Sequence, residues 1–259
     1  MYLNYELEGI EAVFMDLDGT LYLGDNPIDG VNEYLSRLTE RGIKKYYLSN
    51  NSSRSKKAYV GKLASFGINA TESEILLSTD DLLGWLEHNN YSETYTIGTK
   101  SMCEMLEENG IITNSENPEI IVLGYDTEIN YEKLTKSSIF LHKGIPLVAS
   151  HPDTVCPSPD GGLPDVGAYL ALLEATTGVK PMHICGKPNP GMLTHKIKEL
   201  GLEAHQVAMI GDRLYTDIEM ANRVGCLSVL VLSGEATKED AKNAPQKIDV
   251  MVNSVADLL

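Results

Sequence analysis

Four short polar segments hold the residues whose types and spacing can do chemistry. They are Asp16-Leu17-Asp18-Gly19-Thr20, Ser49-Asn50-Asn51-Ser52, Gly186-Lys187-Pro188, and Gly211-Asp212-Arg213 with Asp217 a little further on. Asp16 and Asp18 are two apart, so on an extended chain leaving a strand both side chains face the same way. One carboxylate can attack phosphorus while the second moves protons. Gly19 permits a sharp turn and Thr20 can fix it. The Ser49 hydroxyl and the amides at Asn50 and Asn51 can hydrogen-bond phosphate oxygens. Lys187 supplies positive charge where negative charge shifts in a transition state. Carboxylates suit Mg²⁺, a hard cation that binds one or two of them and keeps waters for a substrate, and Asp212 is a further ligand. The set is what Mg²⁺-assisted phosphoryl chemistry requires.

These segments need a scaffold that brings them together, and the apolar pattern supplies one. Residues 11–16 form a short apolar run ending at an acid, the mark of a buried strand. Val31, Tyr34, Leu35 and Leu38 then recur at the spacing of one helical face, closed by Gly42. Residues 43–49 are β-rich, and Tyr59, Leu63 and Phe66 mark the next helix, ended by Gly67. The rhythm returns late in the chain: a short strand at 183–186, a helix lined by Leu193, Ile197 and Leu200, a strand at 206–211, a helix with Ile218, Ala221 and Val224, and a β-rich run at 227–232. Strands alternating with helices over short loops predict a parallel sheet covered on both faces. In such a sheet ligands bind beyond the carboxyl ends of the strands, so all four polar segments are expected at one edge of one sheet.

The middle of the chain has its own αβ rhythm and its own charge. Residues 79–178 carry sixteen Asp and Glu against four Lys and no Arg, and so twelve of the sixteen net negative charges of the 259-residue chain. This predicts a second domain at 79–179 inserted into a first domain made of 1–78 and 180–259. A net charge of −16 disfavours nucleic acid and anionic membrane as partners, since both need a basic footprint. No apolar run approaches a membrane span of about 18 residues, and residues 1–11 lack the basic stretch of a signal peptide. The expected location is the cytoplasm. Cys103, Cys156, Cys185 and Cys226 form no C-x-x-C pair, so reduced thiols are expected and a zinc site is not.

At the four polar segments the sequence resembles the haloacid dehalogenase (HAD) superfamily of phosphatases. Asp16-Leu17-Asp18-Gly19-Thr20 is similar to that family's D-x-D-G-T, and Ser49, Lys187 and Gly211-Asp212…Asp217 to its Ser/Thr, lysine and G-D-x-x-x-x-D motifs. All four occur in order. Ser49-Asn50-Asn51-Ser52, the Gly186-Lys187-Pro188-Asn189-Pro190 segment and the long insert between them resemble the NagD-like, 4-nitrophenylphosphatase branch. The resemblance implies an α/β fold: a Rossmann-like parallel-sheet core with an inserted, smaller α/β cap that closes over the site. It implies Asp16 as a nucleophile forming an aspartyl-phosphate, and Asp18 as the acid that protonates the leaving oxygen and then activates water. Asp16, Asp18 (through its carbonyl) and Asp212 would hold Mg²⁺. Ser49, Asn50, Asn51 and Lys187 would bind the phosphoryl group, with Thr20 and Asp217 in support. Ser49 departs slightly, since many relatives carry Thr there.

The expected function is therefore Mg²⁺-dependent hydrolysis of small phosphorylated metabolites, by a monomer or a homo-oligomer joined through the cap. A phosphotransferase or mutase on the same core and a non-catalytic phosphate binder are the alternatives. An acid at Asp18 argues against the binder, which needs no acid–base group there. The acidic insert also predicts a preference. Surface fields of this kind shift encounter rates by 10-fold or more, so kcat/KM for a nucleoside triphosphate should lie well below that for the matching monophosphate. Added monovalent salt should narrow the gap by shortening the field's reach to about 8–10 Å; a gap indifferent to salt would assign the selection to shape.

Overall fold

The computed structural model describes residues 7–158 and 160–258, which fall into two units. The first comprises the chain up to Ser49, Lys56–Leu76 and everything from Lys187 onward; the second comprises Asn50–Ser55 and Leu77–Gly186. The crossings fall at 49/50, 55/56, 76/77 and 186/187, where the sequence reading placed two, at 78/79 and 179/180; it did not foresee that the short piece 50–55 goes with the second unit.

In chain order, the first unit begins with strand β1 (Ala12–Asp16), a tight hairpin of β2 (Tyr22–Leu23) and β3 (Asn26–Pro27), helix α1 (Val31–Glu40), β4 (Lys44–Ser49), α2 (Lys56–Ser65) and β5 (Ile75–Leu77). The second unit follows with α3 (Ser78–His88), β6 (Thr94–Ile97), α4 (Lys100–Glu108), β7 (Ile120–Leu123), α5 (Tyr131–His142), β8 (Leu147–Ala149), the two-stranded β9 (Val155–Cys156) and β10 (Leu163–Pro164), α6 (Val166–Thr177) and β11 (His183–Ile184). The first unit resumes with α7 (Gly191–Leu200), β12 (Val207–Gly211), α8 (Glu219–Val224), β13 (Leu227–Val231), α9 (Lys238–Asn243) and β14 (Val250–Val252).

The first unit is built on a six-stranded sheet in the order β14-β13-β12-β1-β4-β5. The pairs β1–β4, β1–β12, β12–β13 and β13–β14 are all parallel. β1 lies in the middle and all five of its residues are buried, which is why it reads as an unbroken apolar run. Its register sets Asp16 beside Leu48 and Met15 beside Ile210. The carboxyl ends of β1, β4 and β12 therefore finish level, at Asp16, Ser49 and Gly211. Helix α1 buries Val31, Tyr34, Leu35 and Leu38, the four residues at helical spacing. One face of the sheet packs Phe14, Leu48, Val207 and Met209 against Leu193 and Ile197 of α7 and Met220 and Ala221 of α8.

The second unit has its own four-stranded parallel sheet, β11-β8-β7-β6. Alternate residues of β7 enter different cores, as strand geometry requires: Ile121 and Leu123 meet Phe140 and Leu173, whereas Ile120 and Val122 meet Leu82, Leu86, Met102 and Leu106. One expectation is corrected here. The strand at 183–186 does not join the first sheet; β11 pairs with β8, His183 opposite Val148 and Ile184 opposite Ala149. Three of the four polar segments leave neighbouring strands of one sheet, and the Lys187 segment leaves the other. No helix among the described residues is long and apolar enough to cross a membrane.

The strand that carries Asp16 is held by packing. Phe14 is fully buried and stacks on Tyr46 with ring centroids 4.9 Å apart. Truncating a buried aromatic ring leaves a cavity, so Phe14→Ala should destabilise the protein by about 3–5 kcal/mol, seen as a lowered midpoint in denaturant unfolding. An unchanged midpoint would show that the sheet does not depend on this contact.

Candidate active site

The first unit gathers Asp16, Lys187, Asp212 and Asp217 in one buried cluster. Asp16 ends β1, and Asp212 follows the last residue of β12. Asp217 returns on a π-helical turn, Leu214–Ile218, where it accepts the backbone N–H of Arg213 at 3.1 Å. The Lys187 ammonium is 3% exposed for the whole residue. It donates to Asp217 at 2.7 Å and also bridges to the carboxylate of Asp16. One oxygen from each of Asp16, Asp212 and Asp217 lies within 4.8 Å of the others.

The turn after β1 is fastened by the main chain. The carbonyl of Leu17 accepts from the N–H groups of Thr20, Leu21 and Tyr22, and the Gly19 N–H donates to the Tyr22 carbonyl at 2.7 Å. Gly19 has φ +89°, and a side chain there would run into the Asp212 carboxylate. Thr20 is buried, yet its hydroxyl has no partner among the described residues, so the turn does not rely on it as expected. Asp18 is exposed and its carboxylate is not one of the clustered three; the ligand expected from it is its main-chain carbonyl.

The second polar segment is divided. Ser49 stays with the first unit, its hydroxyl 3.1 Å from that of Tyr59. Asn50 and Asn51 lie in the second unit. There the Asn50 amide donates to the Asp153 carboxylate at 3.1 and 3.2 Å, and the Asn51 carbonyl oxygen accepts from the N–H and hydroxyl of Ser53. His151 is buried between Asp153 and Asp165, at 3.8 and 3.6 Å, a role within that unit's interior. The loop after β13 was missed by the sequence reading, although it touches the cluster. The Glu235 N–H donates to Asp212 Oδ2 at 2.7 Å, and the Ser233 hydroxyl donates to the Gly19 carbonyl at 2.6 Å. Its only signal was a Ser-Gly pair directly after a β-rich run.

Three carboxylates around one lysine leave surplus negative charge in a buried place. Burial, with Asp217 and Asp212 adding to it, pushes the Asp16 carboxyl up to about 8 although Lys187 opposes the change. Asp212 is pushed up to about 6, first by burial and then by Asp217. Burial works to lower the Lys187 ammonium, but Asp16 and Asp217 outweigh it and raise it. Asp212 Oδ1 is buried and has no hydrogen-bond partner among the described residues. An all-oxygen donor set with excess negative charge and an unsatisfied oxygen fits a hard divalent cation.

Comparison with known proteins gives the family. A haloacid dehalogenase-like hydrolase family model matches residues 13–112, and a second HAD-hydrolase-like model matches 184–258. An acid sugar phosphatase of Staphylococcus aureus (strain MRSA252) is 33% identical over 237 residues, which cover 90% of each chain. The chain belongs to the haloacid dehalogenase-like hydrolases. Within the family it sides with the NagD-like phosphatases. The crystal structure of 4-nitrophenylphosphatase from Thermotoga maritima is 37% identical, covers 97% of both chains and superposes with a TM-score of 0.93. A glycerol phosphate phosphatase of Mycobacterium tuberculosis, in complex with magnesium, is 27% identical over 97% of this chain and 77% of its own, with a TM-score of 0.90.

The raised carboxyls of this hydrolase have a thermodynamic consequence. An acid held above its usual 3.8 in the folded state binds its proton more tightly there than when unfolded. Its contribution to stability is therefore complete below that value and is lost as pH rises towards about 8. In EDTA, the melting temperature should fall from pH 5 to pH 8, and Asp16→Asn should fall less over the same window. Parallel curves for the two proteins would show that Asp16 does not carry the effect.

Proposed function

We propose that this phosphatase hydrolyses small phosphomonoesters, with Mg²⁺, through an aspartyl-phosphate on Asp16. The observation that supports this most is the shared ammonium of Lys187, bonded to Asp16 and Asp217 at once beside the unsatisfied Asp212 oxygen. Asp16, Asp212 and the main chain at Asp18 would hold the cation, with Asp217 behind them. When bound, Mg²⁺ supplies positive charge against the phosphoryl oxygens.

In the first half-reaction a carboxylate oxygen of Asp16 bonds to phosphorus as the ester P–O bond breaks, and Asp18 protonates the departing oxygen. In the second, Asp18 takes a proton from a water whose oxygen attacks the same phosphorus. The P–O bond to Asp16 breaks, and Asp16 returns as a carboxylate with free phosphate. Lys187 and the Ser49 hydroxyl bind the phosphoryl oxygens. Asp217 keeps Lys187 in place while the charge on Asp16 is consumed. The side chains of Asn50 and Asn51 are engaged within the second unit, by Asp153 and Ser53. Relatives acting on sugar and glycerol phosphates support small sugar or polyol phosphates as substrates. Cys103, Cys156, Cys185 and Cys226 form no disulfide among the described residues, which fits a reducing compartment such as the cytoplasm.

Release of phosphate from an aryl phosphate should need Mg²⁺, stop in EDTA and return on readdition. Asp16→Asn should abolish turnover and leave no borohydride-trappable aspartyl ester. Asp18→Asn should keep the fold and lose about 10²–10⁴-fold in kcat. Wild-type turnover in clean Asp16→Asn protein would overturn the mechanism, and transfer to an added alcohol without net phosphate release would favour a phosphotransferase.

A further inference from the structure

The loop at residues 233–236 engages one oxygen of the Asp212 carboxylate and leaves the other open. The Glu235 N–H occupies Asp212 Oδ2 at 2.7 Å, so Oδ1 is the oxygen left without a partner. The Ala236 N–H donates to the Asp212 carbonyl at 3.1 Å, fixing the backbone of the same residue. Two glycines make room for the carboxylate. A Cβ on Gly19 would strike the Asp212 carboxylate, and a Cβ on Gly234 would strike both that carboxylate and the Gly19 Cα, 2.7 Å away in the latter case. The Ser233 hydroxyl donates to the Gly19 carbonyl at 2.6 Å. The loop therefore ties the turn that carries Asp16 and Asp18 to the strand end that carries Asp212.

We infer that Ser233 and Gly234 are positioning residues for the cation site, setting the separation of the two ligand-bearing loops and aiming Asp212 Oδ1. This rests on the reading that Asp16 and Asp212 hold Mg²⁺. These loop residues act through Gly19 and Asp212. Partners that orient a metal ligand typically set 10–100-fold in metal affinity or activity.

The test is Mg²⁺ titration by calorimetry on wild-type protein, Ser233→Ala, Ser233→Thr and Gly234→Ala, with Asp212→Asn as the reference for a lost ligand. Melting temperatures in EDTA check that each variant is folded. Ser233→Ala should weaken the Mg²⁺ Kd by roughly 10-fold or more, and Ser233→Thr, which keeps the hydroxyl, should restore it. Gly234→Ala should weaken it at least as much. For Ser233→Ala, the KM for an aryl phosphate should hold at saturating Mg²⁺, while the Mg²⁺ needed for half-maximal rate rises. Wild-type Mg²⁺ affinity in both Ser233→Ala and Gly234→Ala, with loss in Asp212→Asn, would overturn the positioning role and leave the cation reading intact. Wild-type protein without saturable Mg²⁺ binding would overturn both.

Discussion

The first unit turns on a buried cluster of three carboxylates, two of which share one buried ammonium. Burying ions is costly unless each is paired and hydrogen-bonded, and removing one partner of a buried pair typically costs about 3–5 kcal/mol. Lys187 meets two of the three acids at once, which offsets part of their mutual repulsion. The remainder is left as a charge deficit that a cation can fill. Stability and chemistry thus draw on the same imbalance: the surplus of negative charge that makes burial costly is what a bound cation would relieve.

The parallel sheet is what makes such an arrangement possible. Parallel neighbours end level, so Asp16, Ser49 and the residue after Gly211 arrive at one edge without any long loop. The main-chain hydrogen bonds to Leu17 then turn the chain within a few residues, keeping Asp16 buried while Asp18 is exposed. Two acids two residues apart in one turn thereby acquire different surroundings, and different surroundings let similar groups take different roles. The π-helical turn does comparable service for Asp217, which it returns against Gly211 and the Arg213 N–H.

Much of this was legible in the sequence, for identifiable reasons. β1 announced itself because a strand buried on both faces is continuously apolar, and α1 because Val31, Tyr34, Leu35 and Leu38 keep helical spacing. Asp16, Lys187 and Asp212 were legible because charged residues at or just after strand ends, with glycine or proline close by, are unusual company, and Asp217 because it completes the G-D-x-x-x-x-D spacing. Helix α5 was not picked out: Tyr131 and Ile139 are exposed and blur its apolar stripe. The pairing of β11 was misread because a short strand carries no mark of its partner, and its register with β8 is set some 35 residues away in the chain. The commitment of the Asn50 side chain to Asp153 was equally hidden, since it depends on a contact across 103 residues of sequence. The loop at 233–236 acts mainly through backbone N–H groups and the absence of a side chain at Gly234, features that composition does not display.

The second unit is not a single insertion, and that limits how it can be moved between proteins. Its interior includes Asn50–Ser55. The Ser52 hydroxyl accepts the N–H of Tyr125 at 2.7 Å and lies 3.0 Å from the hydroxyl of Ser150; the Asn50 carbonyl accepts from Ser78 at 2.6 Å and the Ser53 carbonyl from Thr99 at 3.1 Å. A fragment cut at 77 and 186 would carry those donors away from their acceptors and leave these hydrogen bonds unmade within the unit. Exchange of this unit between relatives, by recombination or by design, is therefore a transplant with two grafts, in which the six residues that follow Ser49 must travel with the hundred or so that follow Leu76.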